Sequence, residues 1–115
     1  MLDSSLNSCS VHSNQAGQTT VITLKLDSVY HVDAILIMGS HMFSIHGFHL
    51  YVGHSSDYQN NVQCPGGPFP GNAVEAWCDL PGQYVSFVRF SNASPVLNDI
   101  VLCTFGVISS IDLCQ

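Results

Sequence analysis

From residue 19 onward apolar and polar residues alternate with a period of two, and no stretch carries the three-to-four spacing of an amphipathic helix. Ile22, Leu24 and Leu26 fall on one side of an extended chain and Thr23 and Lys25 on the other, which predicts a half-buried strand over 21–26. Asp27-Ser28 reads as a turn. Residues 32–38 are apolar at nearly every position, as expected of a strand buried on both faces, and 48–52 reads as a shorter strand ending at Gly53. Residues 39–46 join them as a loop. After the Pro/Gly stretch 65–71 come strands over 73–78 and 84–90, separated by a Pro81-Gly82 turn, and a last strand over 100–107. Six or so short strands between turn signals predict an all-β sandwich or jelly roll. Residues 1–18 are polar and read as irregular loop, so a single domain is expected over 1–107, with 108–115 an exit linker or the start of another element.

At 115 residues the chain suits one apolar core. Only 9% of its residues are charged, so its surface repels neighbours weakly, and a module covered in part by other chains is one reading of that surface. Lys25 and Arg89 are the sole Lys/Arg residues against eight carboxylates, which argues against nucleic acid, since phosphates need several cations to neutralise them. No apolar run approaches the roughly 20 residues of a membrane span, and Met1 is not followed by a leader pattern, so membrane insertion is not expected and the chain reads as part of a longer precursor.

Five cysteines, Cys9, Cys64, Cys78, Cys103 and Cys114, never occur as C-x-x-C, which favours disulfides over a zinc knuckle or a redox pair. Cys64 and Cys78 flank the Pro/Gly stretch, and tying its ends would stabilise the fold by about 3 kcal/mol. Disulfides imply an extracellular, secreted or cell-surface setting. Cys114 is left over, either free or bonded to another chain or to another part of this protein.

Several segments, in order, resemble the F-type lectin (fucolectin) family. Ser8-Cys9-Ser10-Val11-His12-Ser13 is similar to the family's S-C-T-H-S, and 24–32 to its V-D-L-G-x-x-Y-x-V. Residues 47–53 resemble G-x-E-I-x-I-G, 60–64 resemble N-N-x-x-C, and Trp77-Cys78, Gly82-Gln83-Tyr84-Val85 and Leu102-Cys103 continue the series. The resemblance covers roughly 3–107, without the family's opening strand. It implies a disulfide-braced, galactose-binding-like jelly-roll β-sandwich with bridges Cys9–Cys103 and Cys64–Cys78. The family holds fucose with a histidine and two arginines. His12 matches the histidine, but the loop 39–46 contains no arginine. Charge-assisted hydrogen bonds contribute about 1.5–3 kcal/mol each, so fucose recognition of the family type is not expected. His12, His41, Phe43 and His46 remain as candidate carbohydrate contacts, Phe43 as an apolar face for a sugar ring and the histidines as uncharged hydrogen-bonding groups. The resemblance also implies a structural calcium ion, with Asp3, Ser8 and the Cys103 carbonyl as candidate ligands, although Thr104 replaces a glutamate.

Six histidines raise zinc as a second metal, through His41, His46, His49 and His54, but His49 falls at the middle of a strand and His54 beyond its end, so their convergence would need the loop to fold back. No G-x-S-x-G elbow is present, and the chain is not expected to be an enzyme. Asn92-Ala93-Ser94 is a glycosylation sequon, followed by an unfavourable Pro95. The sequence thus predicts a non-catalytic extracellular module that serves structural or adhesive assembly with other protein chains or domains. The alternative is an active lectin domain that binds a glycan of altered specificity.

Overall fold

The six patterned segments do form strands, but they merge into four, two of them longer than the turn signals suggest, and three short strands are added. The computed structural model describes residues 10–12, 19–39, 47–69, 73–90, 100–109 and 111–112. They build β1 (Ser10–His12), β2 (Thr20–Gly39), β3 (His49–Gly53), β4 (Val62–Gln63), β5 (Ala73–Arg89), β6 (Ile100–Ile108) and β7 (Ile111–Asp112). All pairings are antiparallel, in the order β1-β6-β2-β5-β3-β4, with β7 added to β2.

Neither Asp27-Ser28 nor Pro81-Gly82 is a chain-reversing turn. Each is a bend inside a continuous strand, so β2 absorbs the strands expected at 21–26 and 32–38, and β5 those at 73–78 and 84–90. The register explains the bend. Lys25 lies opposite Tyr84 and Tyr30 opposite Gly82, so residues 26–29 of β2 face Gln83 alone. The Gln83 side-chain amide donates to the Leu26 carbonyl at 3.0 Å and so satisfies a backbone acceptor where the ladder is interrupted. Gly82 is needed there for another reason: a Cβ at this position would stand 2.6 Å from the Gly53 carbonyl oxygen, at the end of the neighbouring β3.

The bend lets the two long strands serve both halves of a sandwich. In one half, β2 residues 20–25 pair with β5 residues 84–89, whose other edge takes β3 and then β4. In the other, β2 residues 34–39 lie between the start of β5 and β6, which carries β1. Cross-strand partners share a face, so the rows Ile22–Phe87–Leu50 and Leu24–Val85–Val52 point inward from the first half. From the second half, Ile35 with Ala76 and Val107, and Ile37 with Val74 and Phe105, point back at them. These residues form or pack against one apolar cluster, which is the expected β-sandwich core.

The ends differ from the sequence reading. Within the supposedly irregular 1–18, Ser10–His12 pairs with β6, Ser10 opposite Leu102. Beyond residue 107, Asp112 and Ile111 pair with Tyr30 and His31, and the Ser109 hydroxyl donates to the His31 carbonyl at 2.6 Å. Strands of two or three residues are too short to display a period, so only the partner strand reveals them. In the Pro/Gly stretch, Phe69 is buried and bridges to Phe48, its N–H donating to the Phe48 carbonyl and its carbonyl accepting from the Gly47 N–H, both at 2.8 Å. The Cys64–Cys78 disulfide is formed, with a Cα–Cα distance of 4.8 Å, and both cysteines are buried. Cys103 is also disulfide-bonded. Cys9, its expected partner, and Cys114 lie outside the described residues.

The outer surface of the first half is covered by aromatic side chains. Tyr51 and Tyr58 meet at 5.1 Å between ring centroids, Tyr58 and Phe90 at 6.1 Å, and His49 and Phe90 at 5.3 Å. His49 Nδ1 accepts a hydrogen bond from the Gln63 amide at 2.8 Å, which requires the neutral ring, and burial pushes its pKa below the ordinary 6.5. In the unfolded chain the same histidine protonates near 6.5, so below that pH the unfolded state binds more protons and acid favours it. The melting temperature is therefore expected to fall on acidification from pH 6.5 toward the lowered value, and His49→Gln is expected to flatten that fall. Melting curves across this window check it, and a variant with the wild-type slope would count against the assignment to His49.

Candidate functional site

The second half of the sandwich has an outer face that the sequence reading closed off. Residues 32–38 were expected to be buried on both sides, but Met38 is 51% exposed and Trp77, opposite Ala34, is 63% exposed. Leu36 lies opposite Glu75 on β5 and Gly106 on β6, and Ile108 lies opposite Ala34. An indole thus stands on an open, mainly apolar face, with the Glu75 carboxylate two residues along its own strand.

A second register shift brings polar groups next to it. Val32 pairs with Leu80 and Ala34 with Trp77, so Asp33 alone is opposed by Cys78 and Asp79. Such a bulge redirects the side chains around it. Asp79 takes the left-handed backbone conformation at φ 54°, which aspartate tolerates better than most residues. Its carboxylate accepts a hydrogen bond from His31 Nε2 across the strands, and Asp33 Oδ1 stands 3.5 Å from the same nitrogen. The three donor atoms of His31, Asp33 and Asp79 lie within 4.8 Å of one another. The surrounding backbone is fixed: Cys78, inside the bulge, is tied to Cys64, and the His31 carbonyl is held by Ser109. Trp77 and this polar group occupy neighbouring positions, since Trp77 pairs with the residue after Asp33 and precedes Asp79 by two.

A cavity of about 340 Å³ is lined by residues that include Val52, His54, Asn61, Leu80 and Pro81. Its volume would suit a small ligand. However, the Asn61 amide is consumed at both ends, donating to the Ser55 carbonyl at 2.8 Å and accepting from the Ser55 N–H at 3.2 Å. The outer face around Trp77 is the better equipped of the two.

Of the residues singled out from the sequence, His41, Phe43 and His46 lie outside the described residues, as do Asp3, Ser8 and Asn92. The backbone of His12 ends β1 opposite Ile100, and its side chain also lies outside them. Cys103 sits on β6 at the register shift next to Gly39. Of the zinc candidates, His49 is engaged by Gln63, and His54 is exposed beyond the end of β3. Trp77, His31, Asp33 and Asp79 were not singled out as site residues. One signal for Trp77 was present: the chain's single tryptophan alternates with Ala76 and Cys78, both of which are buried. Nothing local brings Asp79 to His31, 48 positions away, because only the bulge does so.

No protein-family model matches the sequence, and no curated protein matches it. Three solved structures match the fold. CpGH89CBM32-6 produced by Clostridium perfringens superposes with a TM-score of 0.67 at 10% identity, over 95% of this chain and 82% of that one. A lectin described as an F-lectin (fucolectin) from Morone saxatilis (striped bass) serum gives 0.64 at 18% identity, over 89% of this chain and 36% of that one. A Family 89 Glycoside Hydrolase from Clostridium perfringens in complex with PUGNAc gives 0.65 at 12% identity, over 99% of this chain but 12% of that one. The chain therefore has the jelly-roll β-sandwich fold that these structures share.

Proposed function

We propose that this galactose-binding-like sandwich is a non-catalytic, secreted or cell-surface module that binds a glycan on the outer sheet face around Trp77. The exposed indole is the observation that carries the reading. A tryptophan 63% open to solvent presents a flat apolar surface to the C–H face of a pyranose ring, and Asp33, Asp79 and Glu75 nearby can accept hydrogen bonds from sugar hydroxyls. The fold it shares with a fucolectin and with carbohydrate-binding modules supports the same reading, and the Cys64–Cys78 disulfide fits an oxidising compartment. Glycan-array screening followed by calorimetry tests it. Trp77→Ala is expected to weaken the selected glycan about tenfold or more, with stability changed by less than about 1 kcal/mol. Binding unchanged by Trp77→Ala but lost in His12→Ala or Phe43→Ala would move the site to the loops.

The assembly reading has its own support. Met38 at 51% and Val62 at 58% exposure add apolar surface to a chain with few charges, a pattern that fits contact with other protein chains or domains. Arrays without signal, together with ordered multimers in solution, would favour it over glycan binding. A structural calcium ion at Asp3, Ser8 and Cys103 remains a proposal, checked by the effect of calcium on the melting temperature.

A further inference from the structure

The polar group beside Trp77 has a second chemistry, independent of any sugar. We infer that His31, Asp33 and Asp79 form a binding site for a divalent transition metal of the zinc class. One imidazole nitrogen and two carboxylate oxygens are a donor set that zinc accepts, with bonds of about 2.0–2.2 Å. Tetrahedral ligand atoms at that distance stand about 3.3 Å apart. His31 Nε2 and Asp33 Oδ1 are separated by 3.5 Å, and no pair among the three donor atoms exceeds 4.8 Å. Little rearrangement is required, because the Asp79 side chain is 87% exposed and can adjust while His31 and Asp33, at 27% and 22%, stay anchored on β2. An entering ion takes the place of the hydrogen between His31 Nε2 and Asp79, so the imidazole binds through Nε2 and carries its hydrogen on Nδ1. Three protein ligands leave a fourth position open to water or to an oxygen of a bound molecule.

The electrostatic setting favours a cation. The net charge is −6, and both Lys25 and Arg89 pair in the other half of the sandwich, opposite Tyr84 and Thr20. Calcium is disfavoured here, because it takes six to eight oxygens and this group offers a nitrogen and two carboxylates. The site is also distinct from the calcium ligands expected from the sequence, which lie at Asp3, Ser8 and Cys103.

The test is titration of the untagged, disulfide-intact chain with Zn²⁺ by calorimetry and with Co²⁺ by visible absorption. One ion per chain is expected, with the absorption band of tetrahedral cobalt. His31→Gln and Asp79→Asn should each weaken binding about tenfold or more, while His54→Gln leaves it unchanged. Asp79→Asn alters an exposed side chain, so it remains informative should His31→Gln fold poorly. Absence of saturable binding up to about millimolar ion, binding that survives Asp79→Asn unchanged, or a preference for Ca²⁺ over Zn²⁺ would each overturn the assignment.

Discussion

Phe87→Ala is expected to lower the stability of the fold by about 3–5 kcal/mol, read as a fall in urea midpoint at unchanged slope. Phe87 is fully buried and sits in the middle of the row Ile22–Phe87–Leu50 that spans one half of the sandwich. Its ring stacks on Phe48 with centroids 4.7 Å apart, and Phe48 in turn meets Phe69 at 5.4 Å. These contacts hold a loop as well as a sheet, because Phe69 belongs to the Pro/Gly stretch and has no strand of its own. Alanine at position 87 would remove most of the aromatic volume from that triad, and neighbours fixed in paired strands cannot move in to fill it. With total stabilities of about 5–15 kcal/mol common for single domains, the loss would leave the variant marginal. A change below about 1.5 kcal/mol would mean that Phe87 is not at the centre of the core.

The Cys64→Ala/Cys78→Ala double variant is expected to lose about 3 kcal/mol, the value for freeing a loop of this length. Sequence separation is 14, and both cysteines are buried, so alanine avoids placing a hydroxyl in the core. The effect should extend beyond stability. Cys78 lies inside the bulge that places Asp79 against His31, while Cys64 is held to β3 by its N–H donating to the Leu50 carbonyl at 2.7 Å. The bridge therefore ties the bulge to the far side of the sandwich. Chemical denaturation measures the first effect, and metal titration of the same variant shows whether the His31–Asp79 geometry loosens with it. A loss under about 1 kcal/mol would show that sheet pairing alone fixes this region.

The Cys64–Cys78 pair was legible in the sequence from the loop it closes, and so was the strand that carries Phe87, from its alternation. Other readings failed for an identifiable reason. Pro81-Gly82 carries the local chemistry of a turn, but the same glycine also permits close approach between strands, and here a backbone carbonyl occupies the space a side chain would need. Asp27-Ser28 is polar because it is the bulged, exposed part of a bend, a feature locally indistinguishable from a turn. Residues 32–38 are nearly all apolar, yet one edge of that run faces outward at Met38, and hydrophobicity alone does not say which faces another sheet will cover.

The amino-acid sequence by itself determined the all-β character, the shared inward side of Ile22, Leu24 and Leu26 and the Cys64–Cys78 bridge, because each depends on period or spacing along one strand or loop. Tertiary structure alone decided that two pairs of strands are continuous, that Trp77 stands on an open face, and that His31, Asp33 and Asp79 converge. Those outcomes depend on register between strands dozens of residues apart, and a shift of one residue in pairing reassigns which side chains meet.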